Sequence, residues 1–151
     1  MPAWIRVVGV VTIVVLALFV PSTSAKKAVK THKIDMTGNQ AIVDMNSERM
    51  VCAGSLFGTP IGSGAYLLRT KTNLLHLTGT FVTYGDNGLM RGTADINGEP
   101  QPDGSVRFNG KFTITSGTGA YKGAKGAGTA TAVLPKGSSI TNVVFKGSAK
   151  Y

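Results

Sequence analysis

The chain has 151 residues, 42% of them hydrophobic and 15% charged, with 16 Lys and Arg against 7 Asp and Glu and a formal net charge of +9. This length corresponds to one domain, large enough to bury well over half of its unfolded surface. Cys52 is the only cysteine, which excludes a disulfide within the chain.

The N-terminal segment has the residue order of a secretory signal peptide. Arg6 precedes an uninterrupted apolar run of 14 residues, Val7 to Val20, which is shorter than the roughly 18 apolar residues of a membrane span. Pro21 ends the run, and the small residues that follow it predict cleavage after Ala25. We therefore expect a secreted protein, in an extracellular or periplasmic location.

Lysines directly beyond the apolar run leave a second interpretation open. Positive charge on that flank resists translocation, so an uncleaved membrane anchor is the alternative; the lysines are Lys26, Lys27, Lys30 and Lys33. The predicted organisation is a signal segment, residues 1–25, followed by one domain, residues 26–151. Cys52 has apolar neighbours in MVCAG and is expected to be a small core residue.

Positive charge is spread unevenly along the domain. Without Arg6, 15 basic and 7 acidic residues remain, formally +8. No acidic residue follows Asp103, whereas seven basic residues do: Arg107, Lys111, Lys122, Lys125, Lys136, Lys146 and Lys150. The positive electrostatic field of these residues favours binding of the protein to anionic polymers, phospholipid surfaces or acidic wall components. The alternative is that these side chains are solvated strand faces and turns.

Short runs of alternating apolar residues predict strands along the whole domain. Runs near Val29–Met36, Met50–Ser55 and Ala65–Thr70 come first, although Ser47–Ala53 could be a short helix and the leucines of AYLLRTKTNLL also suit one. Four later runs keep the period of two on these apolar phases: Leu75, Leu77, Gly79 and Phe81; Met90, Gly92, Ala94 and Ile96; Val106, Phe108, Gly110, Phe112 and Ile114; Val143, Phe145, Gly147, Ala149 and Tyr151.

Each of these four runs carries a glycine on its apolar phase, where a strand gains no side-chain packing. Their recurrence indicates a sheet that coils sharply and lets backbones approach on its concave side. Turn residues at Gly85–Gly88, Asn97–Gly104, Thr115–Gly128 and Pro135–Ser139 separate the runs and leave no room for crossover helices. We predict an all-β fold, a single antiparallel eight-stranded barrel, which side chains fill or which leaves space for one small ligand.

The glycine-rich stretch Thr115–Gly128 is predicted to be a turn and not a phosphate-binding loop. Lys122 stands where a dinucleotide loop needs its third glycine, and the following residues have the pattern of a strand where the loop needs a helix. Lys122 and Lys125 are therefore expected to be solvated.

Other motifs that carry chemistry are incomplete, so catalytic and ligand-binding residues stay unassigned. His32, His76 and Cys52 lack metal-ligand spacing, and no metal or cofactor is expected. The segment from Asp95 lacks the glycine and final acid of a calcium loop, and Ile61–Gly64 lacks the first glycine of a nucleophile elbow. Nucleic acid is not expected as a partner, because the aromatics Phe108, Phe112 and Phe145 occupy the buried strand phase.

The sequence FTITSGTGAYKGAKGAGTATA, Phe112–Ala132, resembles the final third of secreted bacterial proteins related to the allene oxide cyclase and dirigent barrels, and the resemblance extends over Gly62–Tyr151. It implies an eight-stranded calycin-like barrel with a central cavity, which the plant relatives use to cyclise or couple small apolar molecules without a cofactor. No catalytic residue carries over. The matching residues are turn and packing positions: Gly117, Gly119, Tyr121, Gly123, Ala124 and Gly126.

Three functions follow as expectations. The first is an exported, non-catalytic barrel that binds a small apolar or anionic ligand in its mouth, or an anionic envelope surface. The second is a cofactor-free isomerase or cyclase, which needs an acid, a histidine, an arginine or Cys52 inside the cavity. The third is a passive envelope component.

Overall fold

The computed structural model describes residues 28–73 and 75–151, which form one closed antiparallel barrel. Each strand pairs with the next along the chain, and the last strand pairs back with the first. The strands are β1 (Thr31–Met45), β2 (Arg49–Thr59), β3 (Gly62–Asn73), β4 (His76–Gly85), β5 (Gly88–Pro100), β6 (Val106–Gly117), β7 (Lys125–Leu134) and β8 (Ile140–Lys150), with a short 3-10 helix, η1 (Gly119–Tyr121), between β6 and β7. The predicted all-β fold and eight-stranded barrel are confirmed.

The predicted signal segment, residues 1–25, lies outside the described residues. Within residues 28–73 and 75–151, no helix has both the length and the apolar character to cross a membrane.

The boundaries of several strands differ from those expected. Ser47–Ala53 and AYLLRTKTNLL lie largely in β2 and β3, so the helical alternatives are wrong. β1 continues to Met45, and β5 continues through Asn97 to Pro100, where the sequence predicted a turn. The ladders explain this, because Asn97 pairs with Asn109 and Pro100 with Val106. These extensions pair with one neighbouring strand only, since β5 beyond Asn97 pairs with β6 and β1 beyond Ala41 pairs with β2. Cross-strand pairing thus extends a strand beyond what its local pattern indicates.

The interior of the barrel is filled by alternate residues of every strand. Four aromatic rings occupy its middle, with centroids 5.3 to 6.5 Å apart in the closer pairs; they are Tyr66, Phe81, Phe112 and Phe145. These rings pack in tilted and edge-to-face arrangements, which adds to the free energy gained from burying them. The aromatic cluster is part of one continuous hydrophobic core.

Two of the inward glycines show why the sheet can coil so tightly. A Cβ atom at Gly79 would collide with the Arg69 carbonyl oxygen and lie 2.6 Å from Thr70 Cα. A Cβ atom at Gly110 would lie 2.5 Å from Ile96 Cα on the neighbouring strand. Because none of the four predicted glycines is solvent-exposed, the structure agrees with their proposed role in backbone approach.

One end of the barrel, here called the closed end, contains η1, the β2–β3 and β4–β5 turns, the start of β1 and the end of β8. Tyr121 of η1 is buried, and its hydroxyl donates a hydrogen bond of 3.2 Å to the Pro60 carbonyl. Its ring packs edge-on against Tyr151, which in turn stacks on His32 at 4.0 Å. The opposite end, with the β1–β2, β3–β4, β5–β6 and β7–β8 connections, is the mouth end.

Candidate functional site

A depression of about 600 Å³ opens at the mouth end of the barrel. Its walls come from the ends of six strands, which bring together side chains that are far apart in sequence. Small polar residues lie at its edge: Asn46, Ser47, Ser138 and Ser139. The apolar residues of the wall are Ile42, Met45, Met50, Leu75, Leu77, Val106, Phe108 and Leu134.

A second, much smaller cavity lies next to this depression and reaches the aromatic cluster. Its volume is about 30 Å³, enough for one or two water molecules. Four side chains line both the cavity and the depression: Ile42, Met50, Leu77 and Phe108. Tyr66 and Phe145 of the aromatic cluster also line the cavity. Because the cavity is so small, a ligand larger than water would have to displace some of these side chains, of which the flexible Met50 is the most adaptable.

Two polar side-chain atoms in the cavity wall have no hydrogen-bond partner among the described residues. They are the Oε1 atom of Gln40 and the Oγ1 atom of Thr141. The two residues face each other in the β1–β8 ladder, which places both polar groups on one wall. A buried polar atom without a partner costs about 1–3 kcal/mol. The cavity is therefore apolar, with one polar wall able to bind a hydroxyl or amine group.

Cys52 and Tyr66 add two further polar groups to the cavity. Burial raises the pKa of the Cys52 thiol to about 11. Burial, and to a smaller extent the neighbouring Cys52, raises the pKa of the Tyr66 hydroxyl. Both groups are protonated at neutral pH, so they can donate hydrogen bonds but cannot act as bases or nucleophiles.

Ionisable residues of other types are missing from the cavity wall. None of the described residues that line it is Asp, Glu, His, Lys or Arg. A cyclase would need an acid, a histidine, an arginine or Cys52 in this cavity, and of these only Cys52 lines it. Cys52 is a fully buried free thiol, as expected of a small core residue.

The residues of the glycine-rich motif lie at the closed end, away from the mouth. Tyr121 and Ala124 are buried there, and Gly119 and Gly123 adopt positive φ angles of 60° and 82° that favour glycine. Gly117 packs beneath Tyr121, and Gly126 packs against Ala149 of β8. Lys122 and Lys125 are exposed, and the Lys125 ammonium donates a hydrogen bond to the Thr115 carbonyl.

The two histidines, His32 and His76, also lie outside the cavity wall and contact other residues. His32 stacks on Tyr151, and His76 pairs with Asp95 on the outer surface at 2.8 Å. Over residues 28–73 and 75–151, no group of three or more His, Cys, Asp and Glu side chains could hold a metal ion.

Sequence reasoning missed Gln40 and Thr141. The sequence nevertheless contained a sign of both residues, because each is polar at a position where the alternation of its strand places apolar residues. Gln40 shares this alternation with Met36 and Ile42, and Thr141 shares it with Val143. Their adjacency could not be foreseen, since it arises from the pairing of the first strand with the last.

Comparison of the chain with models of protein families, with curated proteins and with solved structures finds no match in any of the three.

Proposed function

We propose that this chain is an exported, non-catalytic barrel that binds a small, largely apolar molecule through its mouth. The observation that carries the proposal is the cavity below the mouth, whose apolar wall contains two buried polar atoms without a protein partner. The ligand that fits this arrangement has an apolar body for the mouth and one hydroxyl or amine group that reaches Gln40 or Thr141.

The dimensions and composition of the mouth support this proposal. Small-molecule sites typically occupy about 300–1,000 Å³, with apolar walls and a few placed polar groups. The depression of about 600 Å³ falls in this range. The export part of the proposal rests on the signal-peptide pattern of residues 1–25.

A cofactor-free isomerase or cyclase is the second candidate. Its support is the resemblance to the allene oxide cyclase and dirigent barrels, together with the hydrogen-bond donors Cys52 and Tyr66 in the cavity. It ranks second because the described cavity wall has no side chain that is ionised at neutral pH, so proton transfer has no base there. A passive envelope component has no specific observation in its favour.

A charge placed in the mouth should weaken ligand binding, whereas the same charge elsewhere should not. Met45 lines the mouth and is 64% exposed, and Phe57 lies near the closed end and is 53% exposed. We expect Met45→Arg to lower the affinity for the neutral fluorescent probe N-phenyl-1-naphthylamine about fivefold or more, because apolar contact worth about 1 kcal/mol is lost. Phe57→Arg, which adds the same charge, is the matched control and should leave the affinity unchanged. Equal effects of the two variants, or no binding of the probe by the parent protein, would count against the mouth as the site.

The polar wall of the cavity is tested by Thr141→Val, which replaces the hydroxyl by a methyl group of the same shape. Without a ligand, the free energy of unfolding should stay constant or rise by up to about 1 kcal/mol, since an unpaired buried hydroxyl is removed. The preference for 1-naphthol over 1-methylnaphthalene, measured by displacement of the same probe, should fall about fivefold through loss of one hydrogen bond. Thr129→Val, on the exposed outer face of β7, is the control. An unchanged preference in Thr141→Val would show that this wall does not contact the ligand.

A further inference from the structure

The charged side chains are divided unequally between the two ends of the barrel. At the mouth end the charges balance: Arg49, Lys71, Arg107 and Lys136 face Asp44, Glu48, Glu99 and Asp103. At the closed end five exposed lysines meet only two acids, Asp35 and Asp86; these lysines are Lys30, Lys33, Lys122, Lys125 and Lys150. The described residues carry 13 Lys and Arg and 7 Asp and Glu, a net charge of +6: +3 lies at the closed end, none at the mouth end, and +3 in the middle of the strands, where Arg69, Arg91, Lys111 and Lys146 outnumber Asp95.

Four of these five lysines have no acidic partner within the part of the chain that the structure describes. Lys33 pairs with Asp35 at 2.7 Å, and this hydrogen bond and charge lower the pKa of the Asp35 carboxyl. The remaining four form no ion pair among the described residues. Lys125 and Lys150 stand directly opposite each other in the β7–β8 ladder. Like charges in that arrangement destabilise a sheet, and an external negative charge would relieve the repulsion.

The closed end also presents the exposed aromatic side chains of the barrel. Phe57 is the third residue from the end of β2, and Tyr84 is the second from the end of β4. They are 53% and 45% exposed, and Val29, which precedes β1, is 70% exposed. The exposed hydrophobic residues of the mouth rim are aliphatic instead: Val43, Met45, Val133 and Ile140. Aromatic residues combined with lysines are typical of protein surfaces that lie at a membrane interface.

The path of the chain leads to the same end. The described residues begin at Ala28, just before β1. In sequence, the seven residues 21–27, which end with Lys26 and Lys27, lie between the apolar run Val7–Val20 and Ala28. If this run stays attached to the chain, a bilayer that accepts it is held next to the closed end.

We propose that the closed end docks on an anionic phospholipid surface, with the unpaired lysines on the headgroups, Phe57 and Tyr84 at the interface, and the mouth directed away from the bilayer. The supporting observations are the charge complementarity and the exposed aromatics at the same end; the apolar run adds to them only in the alternative in which the N-terminal segment is not cleaved. A basic patch alone would also suit a soluble polyanion, but it would not explain the exposed Phe57 and Val29. This inference does not depend on the ligand proposed for the mouth.

Neutralising the lysines of the closed end tests the electrostatic part. The full chain is mixed with vesicles of phosphatidylcholine alone or of an equal mixture with phosphatidylglycerol, and its partitioning is measured by sedimentation. Each lysine near such a surface contributes roughly fivefold to the partition coefficient, so the triple variant Lys122→Gln, Lys125→Gln, Lys150→Gln should lose on the order of 100-fold of the preference for the anionic vesicles. Added salt should weaken the preference of the parent chain.

The matched control is the triple variant Lys71→Gln, Arg107→Gln, Lys136→Gln, which removes the same charge at the mouth end. It should change the preference by less than about threefold, since these side chains would lie beyond a Debye length from the surface. Equal losses in the two triple variants would overturn the proposal. Retention of the parent chain on immobilised heparin without any preference for anionic vesicles would also overturn it, because the partner would then be a soluble polyanion.

The orientation is tested with the lysines intact, which keeps the proposal falsifiable if a triple variant fails to fold. Ser116→Cys marks the closed end and Ser139→Cys the mouth end, and both serines are exposed. Cys52 is buried with a raised pKa, so it should stay unlabelled. Energy transfer from a dye on the new cysteine to a labelled lipid should be stronger from position 116. Equal transfer, or stronger transfer from position 139, would contradict the proposed orientation.

Discussion

Replacing Gly79 with alanine is expected to lower the free energy of unfolding by more than about 3 kcal/mol, or to prevent the barrel from folding. The added Cβ would meet three backbone atoms of β3, namely the Arg69 carbonyl oxygen, the Arg69 carbonyl carbon at 2.8 Å and Thr70 Cα at 2.6 Å. No side chain can rotate away to relieve this contact, so the two strands would have to separate. In a closed barrel that separation disturbs every ladder, since the circumference is shared by all eight strands.

Gly123→Ala is the control for this substitution. Gly123 has a φ angle of 82°, but a Cβ there would have no atom within 4 Å. Only the backbone strain of about 1–2 kcal/mol should appear. Both free energies can be measured by urea unfolding followed by far-ultraviolet circular dichroism. A Gly79→Ala protein as stable as Gly123→Ala would show that the sheet does not need backbone approach at this position.

Replacing Tyr121 with alanine is expected to cost about 3–5 kcal/mol, the range found for large aromatic residues removed from a core. Tyr121 closes the barrel: it is 3% exposed, it packs edge-on against Tyr151 at 5.5 Å, and its hydroxyl is bonded to the Pro60 carbonyl. Its loss would open the closed end to water, because Tyr121 is the only buried residue of the three-residue η1.

Tyr121→Phe separates the ring from the hydroxyl. This variant keeps the packing and loses one hydrogen bond, so about 1 kcal/mol should be lost. Thermal unfolding monitored by near-ultraviolet circular dichroism would report both changes. If Tyr121→Ala were no more destabilised than Tyr121→Phe, the ring would not be a structural part of the closed end. Binding of N-phenyl-1-naphthylamine should persist in Tyr121→Phe, since the mouth lies at the opposite end.

The closed end is plugged and the mouth end is open because the loops that connect the strands fold differently at the two ends. The β6–β7 connection forms η1 and places the buried Tyr121 at the closed end, whereas the mouth-end connections leave the apolar wall around Met45 and Phe108 at least partly exposed. A bilayer at the closed end and a ligand at the mouth would not compete. The two proposals can therefore be tested separately.

Part of the candidate site was visible in the sequence, and part was not. The apolar phases of β4, β5, β6 and β8 were readable because alternation with a period of two is a local property of each strand. Strands β1 to β3 were harder to predict from the sequence. The polar Gln40 and Thr70 interrupt the apolar residues that point inward, and the leucines of β3 also suit a helix. Pairing on both sides decided those segments in favour of strands.

The sequence by itself determined that short alternating strands with inward glycines would form a coiled antiparallel sheet, since side-chain alternation and the absence of a Cβ act within single residues and their neighbours. Only the tertiary structure decided which residues meet. The pairing of β8 with β1 places Thr141 beside Gln40, and the order of turns around the barrel brings five exposed lysines together at the end opposite the mouth. The physical reason is that contacts between distant segments depend on the register and closure of the whole sheet, which no local pattern encodes.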